Sequence, residues 1–329
     1  MKKTKWTLML MLLAVITVLA ACGGEDEAAD DSSSNTGEKT YKVGITQLME
    51  HPSLDAASEG FKAALEEAGL NVEYDAQLAQ GDNSLNTTIA QNLVNSDVDL
   101  IFANSTPSAQ AALAQTTEKP IVFTSVTDAV AAQLVQSMEQ PGGNVTGTID
   151  LHPETIDKTL AFAQELQLKT IGMVYNAGEP NSVEQVKQVK EKAAALGLVI
   201  QEASVSTSAE VKQAAESLVG KVDGFYIITD NTVVLALESV IEVANTNKLP
   251  LLVGELDSVA RGGLAAYGFE YYDIGFEAGQ MAAKILTGEA TPADLPVQYP
   301  QNLKLLINKE TADTLGLDIQ DSWGAELLQ

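Results

Sequence analysis

Side chains able to hold a small polar molecule recur along this chain, nearly always where an apolar run breaks off. Gln47, Glu50 and His51 follow the run Tyr41–Thr46, Ser105 and Thr106 follow Val98–Ala103, and Thr124 and Ser125 follow Pro120–Phe123. The pattern returns further on. Tyr175, Asn181 and Ser182 close the run that opens at Ile171, Asp230 and Asn231 follow Gly224–Ile228, and Glu255 ends the run after Lys248-Leu-Pro250. Hydroxyls at a helix start, backed by free N–H groups and the positive end of the helix dipole, suit a carboxylate. Asp230 and Glu255 carry the opposite sign and suit an ammonium group. Donors in one half of the chain and carboxylates in the other fit a zwitterion gripped from two sides. Serine, threonine, aspartate and asparagine also cap helices, so Ser53 and Ser182 read equally as caps or as contacts. His51, next to Pro52, reads as a turn residue or a contact. Tyr175 reads as a stacking surface or as the end of a core strand.

Bond-making chemistry finds little support. The two histidines, His51 and His152, are each followed by proline and stand in no metal-spaced cluster. No Gly-x-Ser-x-Gly elbow and no Gly-x-x-x-x-Gly-Lys phosphate loop occur. The reading is a binding protein without metal or cofactor, not an enzyme.

The elements that must position these groups alternate strand and helix. Leu54, Ala57, Phe61, Ala64, Leu65 and Ala68 lie at helical spacing and stop at Gly69; Leu85, Ile89, Leu93 and Val94 do the same over Asn83–Asn95. Val43–Ser53 and Ile171–Ser182 share one plan, with Gly, Glu, Pro and Ser in the same order. Gly44 pairs with Gly172, Gly69 with Gly197, Asp99 with Asp223 and Pro120 with Pro250, all at a nearly constant offset. An internal repeat of this kind predicts an α/β fold of two similar Rossmann-like lobes with parallel sheets, polar turns along one edge of each. The part after Gly268 is too short for a third domain: it either completes both sheets, making a multi-strand hinge, or hangs on the second. The first alternative gives lobe one as 41–149 plus about 268–296, lobe two as 150–267 plus about 297–320, and a tail at 321–329.

The chain opens differently. Lys2, Lys3 and Lys5 precede apolar Leu8–Val18, which is short for a membrane span and closes in Leu19-Ala20-Ala21-Cys22. This predicts a leader over 1–21 whose end resembles a bacterial lipobox, with lipidation at Cys22. Cys22 is the sole cysteine, so no internal disulfide forms. The Gly-, Ser- and acid-rich stretch 22–40 reads as a flexible tether. With 45 acidic against 19 basic residues the net charge is −26, which repels nucleic acid and anionic headgroups.

Several stretches together resemble the substrate-binding lipoproteins of bacterial ABC importers: Gln47–Asp55, Pro141-Gly-Gly-Asn-Val-Thr-Gly147, Val174–Ser182, Thr229-Asp-Asn231, and the closing Ile307-Asn, Ala312, Leu315-Gly316. The resemblance is to the type I periplasmic-binding branch that includes tryptophan- and aromatic amino-acid-binding members. It implies an extracytoplasmic monomer, held at the membrane only by its lipid, that closes on an amino acid such as tryptophan, tyrosine or phenylalanine. It also implies delivery to a permease with its ATPase subunit, and a hinge near Asp150, Gly268 and Pro296. The ligand carboxylate would sit at Ser105/Thr106 and Thr124/Ser125, and the ammonium near Asp230 or Glu255. A receptor for a sugar, nucleoside or other polar metabolite is the alternative on the same fold, followed by a surface enzyme or sensor domain.

Overall fold

The computed structural model describes residues 39–329. The leader, the Cys22 anchor and all but the last two residues of the tether lie outside them. Among the described residues no helix is long and apolar enough to cross a membrane.

The first sheet is built by β1 (Thr40–Gln47), β2 (Asn71–Leu78), β3 (Leu100–Asn104), β4 (Ile121–Val126) and β5 (Val145–Ile149), in the order β2-β1-β3-β4-β5 with all pairs parallel. β3, β4 and β5 are buried along their whole length, as expected of parallel strands covered by helices on both faces. The covering helices are α1 (Pro52–Glu67), α2 (Asn83–Asn95) and α3 (Thr106–Leu113). α1 starts with proline in its first turn and buries Leu54, Ala57, Phe61, Ala64 and Leu65 on one face. Phe61 stacks on Phe102 of β3 with ring centroids 3.8 Å apart.

The second half repeats the scheme. α4 (Thr155–Glu165), β6 (Thr170–Asn176), α5 (Pro180–Ala195), β7 (Val199–Val205), α6 (Val211–Leu218), β8 (Gly224–Ile227), α7 (Asn231–Leu235), α8 (Leu237–Thr246), β9 (Leu251–Val253), α9 (Leu256–Ala260) and β10 (Ala265–Gly268) follow in order. α10 (Tyr271–Thr287), β11 (Lys304–Asn308), α11 (Lys309–Leu315) and β12 (Glu326–Leu328) complete the chain. The second sheet runs β12-β11-β10-β9-β8-β6-β7.

Three features depart from the sequence reading. β10 was not foreseen: Ala-Ala-Tyr-Gly lacks β-branched residues, and its buried place between β9 and β11 makes it a strand. β11 pairs with β10 antiparallel, the one such pair among the named strands. The closing residues are held rather than trailing: β12 pairs with β11, and the Trp323 ring meets Phe162 edge-on at 5.1 Å.

α10 follows a strand of the second sheet yet packs on α1, β4 and β5 of the first. The chain therefore passes between the sheets three times, at 150–154, at 269–270 and at 299–303. Near the third passage Ile149 N–H donates to the Gln298 carbonyl at 3.0 Å. α1 and α10 touch through Gly60, Gly275 and Gly279, where a Cβ would collide with the facing helix's backbone oxygens.

Candidate functional site

The turns that follow seven of the parallel strands, β1, β4, β5, β6, β8, β9 and β10, enclose one cavity. β1 leads to His51, β4 to Ser125 and β5 to Asp150. From the other side come Asn181 at the start of α5, Thr229, Asp230 and Asn231 after β8, Glu255 after β9, and Tyr271 opening α10. Leu54 and Val234 supply the apolar wall. Ligand crevices of open α/β sheets lie at this carboxyl edge. The free volume left is only about 10 Å³, enough for a single water. An adjoining groove of about 280 Å³, lined by Thr106 and Asp128 on one side and Gly178, Asn181 and Glu184 on the other, shares Asn181 with the cavity.

Four buried polar atoms on the cavity wall have no hydrogen-bond partner: His51 Nδ1, Ser125 Oγ, Asp150 Oδ1 and Asn181 Oδ1. Folded interiors seldom leave such groups unpaired, and four around one space make it the candidate ligand site. The backbone is held under strain there too: Ser125 has φ 55° and Ser105 φ 119°, conformations that non-glycine residues keep only where surrounding structure enforces them.

Burial dominates the electrostatics. It pushes the Asp150 carboxyl up to about 6, against the opposing hydroxyls of Tyr271 and Thr127. Asp230 is pushed up to about 7 by burial first and by the neighbouring Glu179 charge second. Burial raises Glu255 as well, with the Ser258 and Ser53 hydroxyls pulling the other way. The His51 imidazole is lowered to about 4 by burial, so it is neutral at pH 7. Three carboxylates thus face a space whose wall carries no lysine or arginine, and a cationic group placed among them is stabilised by all three.

Of the side chains expected at the site, six meet here: His51, Ser125, Asn181, Asp230, Asn231 and Glu255. The others are engaged elsewhere. The Gln47 amide donates to Met49 O and to Asp55 while its oxygen accepts from Ser58 and Asn104, which ties β1 to α1. Glu50 is exposed on a groove beside α1. Glu179, its counterpart in the repeat, is instead buried and accepts from the backbone and side chains of Asn231 and Thr232. Thr124 pairs with Thr148 at 2.8 Å, and Thr148 donates to Ile274 O, away from the cavity. Ser105 caps α3 by accepting from Ser108 N–H, and Thr106 accepts from Thr127 N–H at the rim. Tyr175 donates to Glu202 on the outer face of β6 and β7. Ser182 lies behind the wall, accepting from Asn181 and supporting Asp230. Leu54, Asp150, Thr229, Val234 and Tyr271 were not expected as wall residues. The available signal for Asp150 and Tyr271 was position, since each flanks a passage between the sheets.

Ser53 also reaches across: its hydroxyl donates to Asp257 Oδ2 at 2.9 Å, joining α1 to α9. Ser53→Ala removes this tie between the lobes. The expected result is a larger radius of gyration of the empty protein in small-angle scattering, with a cost in unfolding free energy of roughly 1 kcal/mol.

A model of the family described as ABC transporter substrate binding protein matches residues 42–326. The chain belongs to that family. This substrate-binding protein is 43% identical over 286 residues to the tyrosine-binding protein of Clostridioides difficile (strain R20291), covering 85% of this chain and 82% of the relative. It superposes with a TM-score of 0.83, at 32% identity, on an ABC domain in complex with L-Trp from Streptococcus pneumonia, over 88% of this chain and 100% of that one. The ligand-free, open structure of a substrate binding protein with adhesive properties from Clostridium difficile scores 0.67 at 40% identity, over 88% and 99%. Its higher identity with lower superposition agrees with the narrow cavity: the substrate-binding protein described here has its lobes closed. The two lobes and their parallel-dominated sheets are the type I periplasmic-binding architecture.

Proposed function

We propose that this protein captures an aromatic amino acid on the outer side of the membrane and passes it to an ABC permease driven by its ATPase subunit. In this reading it acts as a monomer tethered through a lipid on Cys22. The observation that carries the reading is the set of unpartnered polar atoms and carboxylates around one closed cavity between the lobes. The tyrosine-binding relative and the L-Trp complex support the aromatic class. The Ser125 hydroxyl, near the strained start of α3 at Ser105 and Thr106, is the donor set for the ligand carboxylate. The carboxylates across the cavity take the ammonium group, and Tyr271, His51, Leu54 and Val234 offer the surfaces a ring would lie on. With so little free volume, entry requires the lobes to part by rotation about the three passages, and they then close around the ligand rather than onto each other. No bond is made or broken.

A thermal-shift plate of amino acids, sugars and nucleosides tests this. Tyrosine, tryptophan or phenylalanine should raise Tm by several degrees, since a ligand at 100 times its Kd contributes about 2.7 kcal/mol. Stabilisation by a sugar or nucleoside but by no amino acid would sink the reading.

The raised carboxylates add a pH signature. Folding raises the Asp150 and Asp230 pKa values above the ordinary range near 4. The empty protein is therefore favoured by protonation: this contribution is fully present near pH 4 and is lost as pH rises through about 6 to 7. An ammonium ligand needs the charged forms. Its affinity should fall as pH drops from 7.5 to 5, so the ligand-induced Tm rise shrinks while the Tm contribution of these groups in the empty protein grows.

A further inference from the structure

Which carboxylate receives the ammonium group is not settled by charge, because Asp150, Asp230 and Glu255 all face the cavity. Their oxygens separate them: of the three, only Asp150 has one that is buried without a partner. Asp230 already accepts Asn176 N–H at 2.6 Å on one oxygen and Val233 N–H at 2.8 Å on the other, as the cap of α7. Glu255 accepts the Ser258 hydroxyl at 2.7 Å. Asp150 is 6% exposed, accepts the Tyr271 hydroxyl on Oδ2 at 2.9 Å, and leaves Oδ1 buried with no partner in hydrogen-bond geometry, although the Thr127 hydroxyl is close enough to favour its charged form.

We propose that Asp150 Oδ1 seats the ligand's ammonium group, with Tyr271 as the positioning residue that holds the carboxylate in place. This rests on the amino-acid reading given above and names the contact that reading leaves open. The acceptors left over around the cavity fit it. Asn181 Nδ2 faces acceptors, the Glu179 carboxylate and the Thr229 carbonyl, which orients the amide so that Oδ1 is the free end. His51 Nδ1 is also unpartnered, and in the neutral ring with its proton on Nε2 it accepts. An ammonium group has three N–H donors, and Asp150 Oδ1, Asn181 Oδ1 and His51 Nδ1 are three acceptors from three different elements.

The placement also ties recognition to closure. Asp150 stands where the chain leaves the first sheet, and its N–H donates to Val126 O at 3.0 Å. Tyr271 stands where the chain returns, its ring stacked on Phe269 at 5.5 Å. The preceding residue, Ile149, bonds Gln298, just ahead of the third passage. An ammonium group bound at Asp150 is thus held beside the first two passages, between the His51 turn of one lobe and the Asn181 turn of the other.

The experiment is a cycle between protein and ligand, read by titration calorimetry. Wild type, Asp150→Asn, Asp230→Asn and Tyr271→Phe are each titrated with L-tyrosine and its des-amino analogue 3-(4-hydroxyphenyl)propanoate, and with L-tryptophan and indole-3-propanoate. Wild type should prefer the amino acids by about 100-fold, the scale of a buried hydrogen bond to a charged group. Asp150→Asn should cut that preference to below about 10-fold by weakening amino-acid binding alone, leaving the des-amino affinity within about 3-fold. Tyr271→Phe should lower the same preference by about 5-fold, a ratio that a general loss of stability does not move. Asp230→Asn, at a second carboxylate of the wall, should lower the preference by no more than about 3-fold, less than Asp150→Asn does. An undiminished preference in Asp150→Asn, or its loss in Asp230→Asn, overturns the assignment while the amino-acid reading stands. Failure of the wild type to bind either amino acid overturns both. If Asp150→Asn does not fold, the Tyr271→Phe and Asp230→Asn ratios still decide between the two carboxylates.

Discussion

Glu179→Ala is expected to abolish high-affinity ligand binding and to cost about 3 kcal/mol of stability, although Glu179 is not on the cavity wall. The carboxylate is 5% exposed and accepts five hydrogen bonds: Asn231 N–H at 3.1 Å, Asn231 Nδ2 at 2.6 Å, Thr232 N–H at 2.9 Å, Thr232 Oγ1 at 2.6 Å and Asn181 Nδ2 at 3.4 Å. It links the start of α5 to the start of α7, whose cap Asp230 and first residue Asn231 line the cavity. Truncation leaves buried donors unpaired, at about 1 kcal/mol or more each, and frees the turn that presents Asp230 and Asn231. Removing the charge also relieves the repulsion on Asp230, which offsets part of the loss. Glu179→Gln keeps the shape and one good acceptor and should cost roughly half as much. Urea unfolding and calorimetric titration read the two effects. Native stability and native affinity in Glu179→Ala would show that Asn231 and Thr232 find other partners.

Gly275→Val should be among the most damaging single changes in the first lobe, costing about 3 kcal/mol or more. A Cβ on Gly275 would meet the Ala57 carbonyl, one on Gly60 the Tyr272 carbonyl, and one on Gly279 the Phe61 carbonyl oxygen at 2.5 Å. The obstacles are backbone atoms of two helices that are themselves packed on β-strands, so neither side can yield by a rotamer change. α10 also carries Tyr271 at its first turn, so pushing the helices apart should weaken ligand binding together with stability. Gly69→Ala is the control. Gly69 has φ 70° but nothing within 4 Å of a Cβ, so its substitution should cost only the left-handed penalty of roughly 1 kcal/mol. Chemical denaturation of both variants checks the ranking; equal costs would mean that α1 and α10 separate freely.

The sequence by itself determined the alternation of strands and helices, the repeat that makes two lobes, and the edge along which polar groups gather. These are carried by local signals: helical spacing in Leu54–Leu65, proline at helix starts, glycine at helix ends, hydroxyls and acids at caps. Each acts within about one or two turns of chain, so each is readable where it stands. His51, Ser125, Asn181, Asp230, Asn231 and Glu255 were legible because a strand-end position nearly suffices to put a side chain at the cavity. Only the tertiary structure separated caps from wall. Ser105 and Ser182 look like Ser125 in sequence, yet Ser105 turns to Ser108 N–H and Ser182 backs Asp230, while Ser125 Oγ is left unpartnered. The repeat equated Glu50 with Glu179, but one is exposed and the other holds α7 in place, because only the second half brings two donor residues to the same turn. Asp150 and Tyr271, 121 positions apart, meet through a hydrogen bond that depends on α10 returning to the first sheet. No local pattern encodes that return. It follows from burying the small-residue face of α10 against α1, a long-range packing choice, and it converts two residues at the passages into the floor of the site.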